Sequence, residues 1–320
     1  EPLWERQCET CEVTIHELFE LLKACENEKP DSWYYFDYKH VSEWFNNADA
    51  LNDLSWEFMG LSGKTGKDST IWIGSKRSHT SCHMDTYGYN VVAQLYGRKR
   101  WILFPPEETD HLKPSRVPYE ESSIYSRINF SCGCSTIEGT SEIRMVILEP
   151  GDILYVPKNW WHYVENLSTA ISINIWMPVA SDDISRLEES LAKCFLIAIT
   201  SGLNSENRLR LLNPNEVCLN NLPTIINTSE LTWCLNKCLR RNEQNVSKKE
   251  DILDSDNICE VPKITLEKLL EVLRRNCLKS TSLKLDENAE KTVDIVDLID
   301  AFCHPDVLAL VRSKLCSSLK

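Results

Sequence analysis

Nothing in the 320 residues is long and apolar enough to cross a bilayer. The longest apolar run, Cys194 to Ile199, falls far short of the roughly 20 residues a span requires, so no membrane association is expected. A basic excess is missing too: the net charge of −13 argues against a nucleic-acid backbone as the main partner. There is no internal repeat, low-complexity tract, collagen period or sustained heptad. Disulfide and zinc frameworks are also absent. The fourteen cysteines are diluted along the chain, and the close pairs Cys8/Cys11, Cys132/Cys134 and Cys234/Cys238 have no second half to close a four-ligand site. We expect reduced thiols and a cytosolic or nuclear protein. Because the chain opens on Glu1 rather than Met, we expect its true start upstream, which leaves a targeting segment open.

What is present describes an ordinary globular protein with one large core and an appendage: 42% hydrophobic and 26% charged residues. The acidity is local. Residues 1–60 carry fourteen acids against four bases, whereas residues 61–180 carry twelve of each. An acidic N-terminal face would attract a basic peptide, and it equally serves as a solvated surface. Nine of the ten Trp precede residue 180, which places the dense core there.

Ile15, Leu18, Phe19 and Leu22 fall at helical spacing behind Thr14, a suitable cap. Short strands bounded by turn residues follow at 70–74, 90–95, 100–104, 144–148, 152–156, 163–165 and 170–176. Many short strands mean a sandwich, jelly roll or barrel. After Pro178 the pattern is helical, with an apolar stripe from Ile184 to Ile199 that would pack on the barrel or form a homodimer contact. The expected division is 1–66, a helical and strand segment packing on the core; 67–179, the β core; 180–239, helical; 240–262, a polar linker; and 263–320, further helices.

The chemistry starts from His83-Met84-Asp85. Seven His and eighteen Asp give about 0.4 such pairs by chance, so the motif alone decides nothing. Its company matters. Glu149-Pro150-Gly151-Asp152 opens a turn and a strand that ends just before His162. In a rolled barrel, two strand ends of this kind meet at the mouth. Two imidazoles and a carboxylate on one face of a metal form the facial triad of non-haem Fe(II) oxygenases, with three positions left for a chelating co-substrate and O₂. Lys99 follows as a candidate anion hook. Regular alternation from Asn90 puts Val92, Gln94 and Tyr96 on its face, so Lys99 needs a turn or bulge at Gly97 to join them.

Between Ile71 and Trp176 the strings IWIG, HTSCHMD, NVVAQLYGRKRWILFPPE, EPGDILYVPKNWWHYVEN and SINIW together resemble a JmjC domain. The chain is similar to the branch containing the asparaginyl hydroxylase that inhibits hypoxia-inducible factor. More narrowly, it resembles the small-heat-shock-protein-associated protein 1 family, which Tyr119–Ser123 (YESS with a second Glu) and Leu212–Glu216 also match. The resemblance implies a mainly β fold with flanking helices, built on a double-stranded β-helix, the cupin-like jelly roll. It implies that His83, Asp85 and His162 bind Fe(II). Thr80 and Lys99 would hold the distal carboxylate of 2-oxoglutarate, joined by the hydroxyl of Tyr35, with Tyr38 as the alternative. Asn90 and Asn174 would lie near the proximal carboxylate and Trp176 would wall the pocket. The cofactors are then Fe(II), 2-oxoglutarate and O₂, and the substrate is a peptide or protein side chain.

Three readings follow. The first is an active protein hydroxylase. The second is a binding module of negligible turnover, acting on a small heat-shock protein. The third is a cupin-type metal enzyme without 2-oxoglutarate, against which Lys99 and Thr80 speak. Histone demethylation ranks below hydroxylation, since no histone-reader zinc module accompanies the core.

Overall fold

Successive side chains of each strand point to opposite faces of its sheet. One face packs outward under helices and loops, and the other lines a shared interior. In this computed structural model, which describes residues 9–27, 32–45, 54–131, 137–211, 228–242, 258–276 and 292–318, the strands form two antiparallel sheets. In chain order they are β1 (Tyr35–His40), β2 (Thr70–Gly74), β3 (His79–Asp85), β4 (Tyr89–Tyr96), β5 (Lys99–Phe104) and β6 (Pro114–Glu120). β7 (Ser123–Ser126), β8 (Ile143–Leu148), β9 (Ile153–Val156), β10 (Trp161–Asn166), β11 (Ala170–Met177) and β12 (Lys263–Ile264) follow. The smaller sheet runs β1-β2-β11-β4-β9 and the larger β12-β8-β5-β10-β3-β7-β6. Two such sheets joined by long crossings make the expected double-stranded β-helix.

Val92, Leu154 and Val156 of the smaller sheet meet Trp101, Leu103, Leu148 and Val164 of the larger one in the interior. The outer face of the larger sheet buries Cys82, Met84, Ile102, Phe104, Trp161 and Tyr163. Ile73 of the smaller sheet packs under the first helix, α1 (Ile15–Asn27), through Leu18 and Leu22. Thr14 and Glu17 cap α1 reciprocally: Glu17 Oε2 accepts the Thr14 N–H at 2.7 Å and Thr14 Oγ1 accepts that of Glu17 at 3.3 Å.

The remaining helices are α2 (Val41–Trp44), α3 (Thr109–Leu112), α4 (Asp182–Thr200), α5 (Ser205–Arg210), α6 (Thr228–Asn242), α7 (Leu266–Asn276), α8 (Ile295–Phe302) and α9 (Pro305–Ser318). The apolar stripe of α4 is spent within the chain. Leu187 packs with Cys234 and Leu235 of α6, and Leu196 with Ile299 of α8 and Leu308 of α9. A buried network fastens α4 to the barrel. Glu189 accepts both Nη atoms of Arg116, the Tyr119 hydroxyl at 2.9 Å and the Thr86 hydroxyl at 3.3 Å. Asp182 accepts the N–H of Gly88 and of Val179, both at 2.9 Å, and the Lys158 ammonium at 3.0 Å. Burial alone would raise this carboxyl, but these donors hold it below its ordinary value.

The structure redraws several boundaries. The β core is not confined to 67–179, because β1 comes from the N-terminal segment and β12 from beyond the expected linker. Strands β1, β3, β6, β7 and β12 carry no clear sequence signal. His83 and Asp85 lie within β3 rather than after a strand, and His162 lies within β10. Residues 212–216 and 243–257 fall outside the described residues. Among the described residues all nine cysteines are free, and no helix is long and apolar enough to cross a membrane.

Candidate metal centre and its cavity

One ladder puts the three candidate ligands together. β10 pairs antiparallel with β3, and His162 stands directly opposite His83. Alternation then sends His83 and Asp85 inward while Cys82 and Met84 point out. One ligand atom from each of His83, Asp85 and His162 lies within 4.8 Å of the others. The two rings are 4.2 Å apart between centroids, and His83 Nε2 is 3.6 Å from Asp85 Oδ1.

Each imidazole is held by the main chain. His83 Nδ1 is 2.8 Å from the Ser81 carbonyl and His162 Nδ1 is 3.0 Å from that of Trp160. A carbonyl only accepts, so both Nδ1 atoms donate and Nε2 is the nitrogen left to ligate in each ring. Burial, helped by the neighbouring His162, pulls His83 down to about 4 and keeps it neutral at physiological pH. The Trp176 indole N–H donates to Asp85 Oδ2 at 2.8 Å, which fixes the carboxylate. Two imidazoles anchored through Nδ1 and an oriented carboxylate suit a divalent transition metal that keeps open positions.

These groups lie in a cavity of about 470 Å³ lined from both sheets. All of the sequence-predicted residues Thr80, Asn90, Lys99, Asn174, Trp176 and Tyr35 line it, as does Tyr38. Lys99 enters differently from expectation. Gly97, at φ 64°, turns the chain from β4 in the smaller sheet into β5 in the larger one, so Lys99 opens β5 rather than sharing a strand with Asn90. A Cβ on Gly97 would lie 1.9 Å from the Thr169 carbonyl oxygen, so the turn requires glycine. Lys99 is 2% exposed, donates to Ser172 Oγ at 2.7 Å and sits 5.7 Å from the Tyr35 ring centroid. Burial pushes it down to about 7. Tyr35 is therefore the tyrosine beside Lys99. Tyr38 instead packs against Trp72 and Trp176, 5.8 and 5.7 Å away.

Asn174 and Asn90 face each other, the Asn174 amide donating to Asn90 Oδ1 at 2.8 Å and accepting from the Trp72 indole at 2.8 Å. Sequence reasoning missed Ser172, Trp72, Trp101, Tyr125 and Glu120 in this lining. Trp101 stacks on His162 at 5.6 Å, and its buried indole N–H meets no acceptor among the described residues. Inward alternation along β5 and β11 is the signal that would have found Trp101 and Ser172.

A model of the cupin-like domain family matches residues 3–182 of this chain. HSPB1-associated protein 1 of Homo sapiens is 39% identical over 233 residues, covering 68% of this chain and 47% of that protein. The HSPB1-associated protein 1 homolog of Danio rerio is 38% identical over 231 residues, covering 67% and 51%. The 2-oxoglutarate and iron-dependent oxygenase JMJD4 of Gallus gallus is 34% identical over 114 residues, covering 32% of this chain and 25% of that protein. The chain thus spans about half the length of the HSPB1-associated relatives it matches.

Proposed function

This chain belongs to the cupin-like domain family, and on that premise we propose that it is an Fe(II)- and 2-oxoglutarate-dependent oxygenase that hydroxylates a protein side chain. One observation carries the reading. His83, Asp85 and His162 converge in the same cavity as a buried lysine that lies on β5 four residues before Leu103, the ladder partner of His162. A metal enzyme without a dicarboxylate co-substrate has no use for a buried ammonium at that depth. The similarity to a 2-oxoglutarate and iron-dependent oxygenase supports the same chemistry.

The chain's own residues would act as follows. His83, Asp85 and His162 hold Fe(II), their donor atoms preset by Ser81, Trp160 and Trp176. Lys99, with Ser172, Thr80 and Tyr35 around it, receives the distal carboxylate and orients the co-substrate. Asn90 and Asn174 offer amides toward its proximal end. Val92, Val164, Trp101 and Trp176 keep the interior dry. When bound, the iron with 2-oxoglutarate and O₂ supplies the oxidising power for an unactivated C–H bond, with succinate and CO₂ as co-products. The name HSPB1-associated protein 1, borne by the relatives, supports a small heat-shock protein as partner. The free thiols support a cytosolic or nuclear setting.

The test is an anaerobic titration of Fe(II) with 2-oxoglutarate, following the visible charge-transfer band of the chelate. The band is expected in the parent, absent in His162→Ala, and displaced to far higher 2-oxoglutarate in Lys99→Ala. A folded parent without the band ends the oxygenase reading and leaves a binding module in its place.

A further inference from the structure

Asp85 is the last residue of β3 and His162 the second of β10, so both candidate ligands sit where ladder support runs out. Asp85 is followed by the tripeptide Thr86-Tyr87-Gly88, which turns the chain into β4. This turn has no slack. Gly88, at φ 60°, lies so close to β11 that a Cβ on it would be 2.5 Å from the Met177 carbonyl oxygen.

Helix α4 addresses the tripeptide residue by residue. Asp182, Arg186 and Glu189 stand at i, i+4 and i+7, on one face of the helix. Glu189 Oε1 accepts the Thr86 hydroxyl at 3.3 Å, the Arg186 guanidinium lies 5.4 Å from the Tyr87 ring centroid, and Asp182 Oδ1 accepts the Gly88 N–H at 2.9 Å. The same Asp182 oxygen takes the Lys158 ammonium at 3.0 Å, and the next residue, Asn159, donates its N–H to the Asp85 carbonyl at 3.1 Å. These two residues lead into Trp160, whose carbonyl fixes the His162 ring. One carboxylate therefore touches the segment after one candidate ligand and the segment before another. Asp182 and Glu189 are 2% and 3% exposed, so water does not compete for these bonds. A helix that merely covered the barrel would offer it apolar side chains. α4 gives its apolar side chains to α6, α8 and α9, and turns charged groups toward the tripeptide.

We propose that the first two turns of α4 position the metal centre, with Asp182 as the positioning residue that ties the Asp85 turn to the turn before His162. The helical part of the chain is then a component of the site. Metal loading and the seating of α4 favour each other, and by linkage each strengthens the other by the same factor. The inference rests on the metal reading of His83, Asp85 and His162, and not on which co-substrate the metal takes.

The experiment reads Mn(II) affinity of the full chain by electron paramagnetic resonance. Lys158→Met cuts the link to Asp182 from the other side. Asp182→Asn keeps the shape, but an amide nitrogen cannot accept, so one backbone N–H loses its acceptor. Both changes are expected to raise the Mn(II) dissociation constant about tenfold, as when a partner behind a metal ligand is lost. Leu235→Ala, which removes an α6 contact to Leu187 of α4, is the control for stability alone. It is expected to lower the unfolding temperature at least as far and to leave the affinity unchanged. Hydrogen exchange gives a second readout: Mn(II) should protect the first turns of α4 in the parent and lose that effect in Lys158→Met. Unchanged affinity in both variants, an equal loss in Leu235→Ala, or no protection of α4 in the parent overturns the proposal. His162→Ala, run alongside, tells the two readings apart. Mn(II) binding lost there but intact in Lys158→Met and Asp182→Asn defeats the role of α4 alone, whereas binding that survives His162→Ala defeats the metal reading.

Discussion

His83 and His162 face each other across the β3–β10 ladder, and each ring gives its Nδ1 proton to the carbonyl two residues before it. The orientation of both rings is thus set by strand geometry, without recruiting any further acidic side chain. Asp85 is the ligand that depends on another side chain, the indole of Trp176.

That dependence is testable. Trp176→Phe keeps an aromatic wall but removes the 2.8 Å hydrogen bond to Asp85 Oδ2. Metal affinity should fall by about 10–100-fold, the range seen when an outer partner of a ligand is lost. A Mn(II) titration followed by electron paramagnetic resonance measures it, and an unchanged affinity would show that Asp85 needs no such support.

Lys99 gives a pH signature in the ligand-free protein. Its folded value is about 7, against 10.5 for the free side chain. Between these the unfolded chain binds more protons, so this lysine's contribution to stability improves as pH rises from 7 to 10.5. Below 7 the full cost of the buried ammonium is felt. Lys99→Met should therefore stabilise the apo fold by about 1–4 kcal/mol at pH 6 and by much less at pH 10. The same change should weaken 2-oxoglutarate by about 100-fold. Urea unfolding at both pH values decides, and a larger gain at pH 10 would contradict the assignment.

Arg116 and Glu189 are both nearly inaccessible, and each needs the other. Glu189→Leu alone leaves a buried guanidinium and should cost about 3–5 kcal/mol. Adding Arg116→Met should recover most of that loss. Equal destabilisation by the single and double variants in chemical denaturation would show that the ion pair is not the source.

Gly97 links stability to the co-substrate hook. Gly97→Ala forces a left-handed residue against the Thr169 carbonyl, at a cost of more than about 1 kcal/mol. Because the turn sets where β5 begins, the affinity for 2-oxoglutarate should fall with it. Isothermal titration beside a thermal melt checks both.

The middle of the chain was legible because β4, β5 and β11 carry apolar residues on their outward face, as in Val91, Ile102 and Ile173. β3 was not legible as a strand. Its inward residues Thr80, His83 and Asp85 are polar because they serve the site, and a register shift between Thr80 and His83 breaks the alternation where the chemistry is densest. The ligands were readable by residue type, whereas their mutual placement depended on the β3–β10 register. Lys99 was found together with the turn at Gly97 that it needed, but that turn leads into the other sheet, which the sequence does not tell. Ser172 and Trp101 were invisible as site residues, because a serine or tryptophan on a strand reads as packing until the opposite wall is known.

β12 reaches back to pair with β8, Lys263 beside Arg144, and α7 just after it places Leu269 and Leu273 on the outer face of the larger sheet. The two pairing strands are about 120 residues apart in the chain. At a synthesis rate of roughly 5–20 residues per second, the open edge of β8 waits several seconds on the ribosome for its neighbour. Completion of the barrel is therefore timed by the emergence of the C-terminal part of the chain, and an edge strand left open for that interval is where a nascent molecule would first go astray.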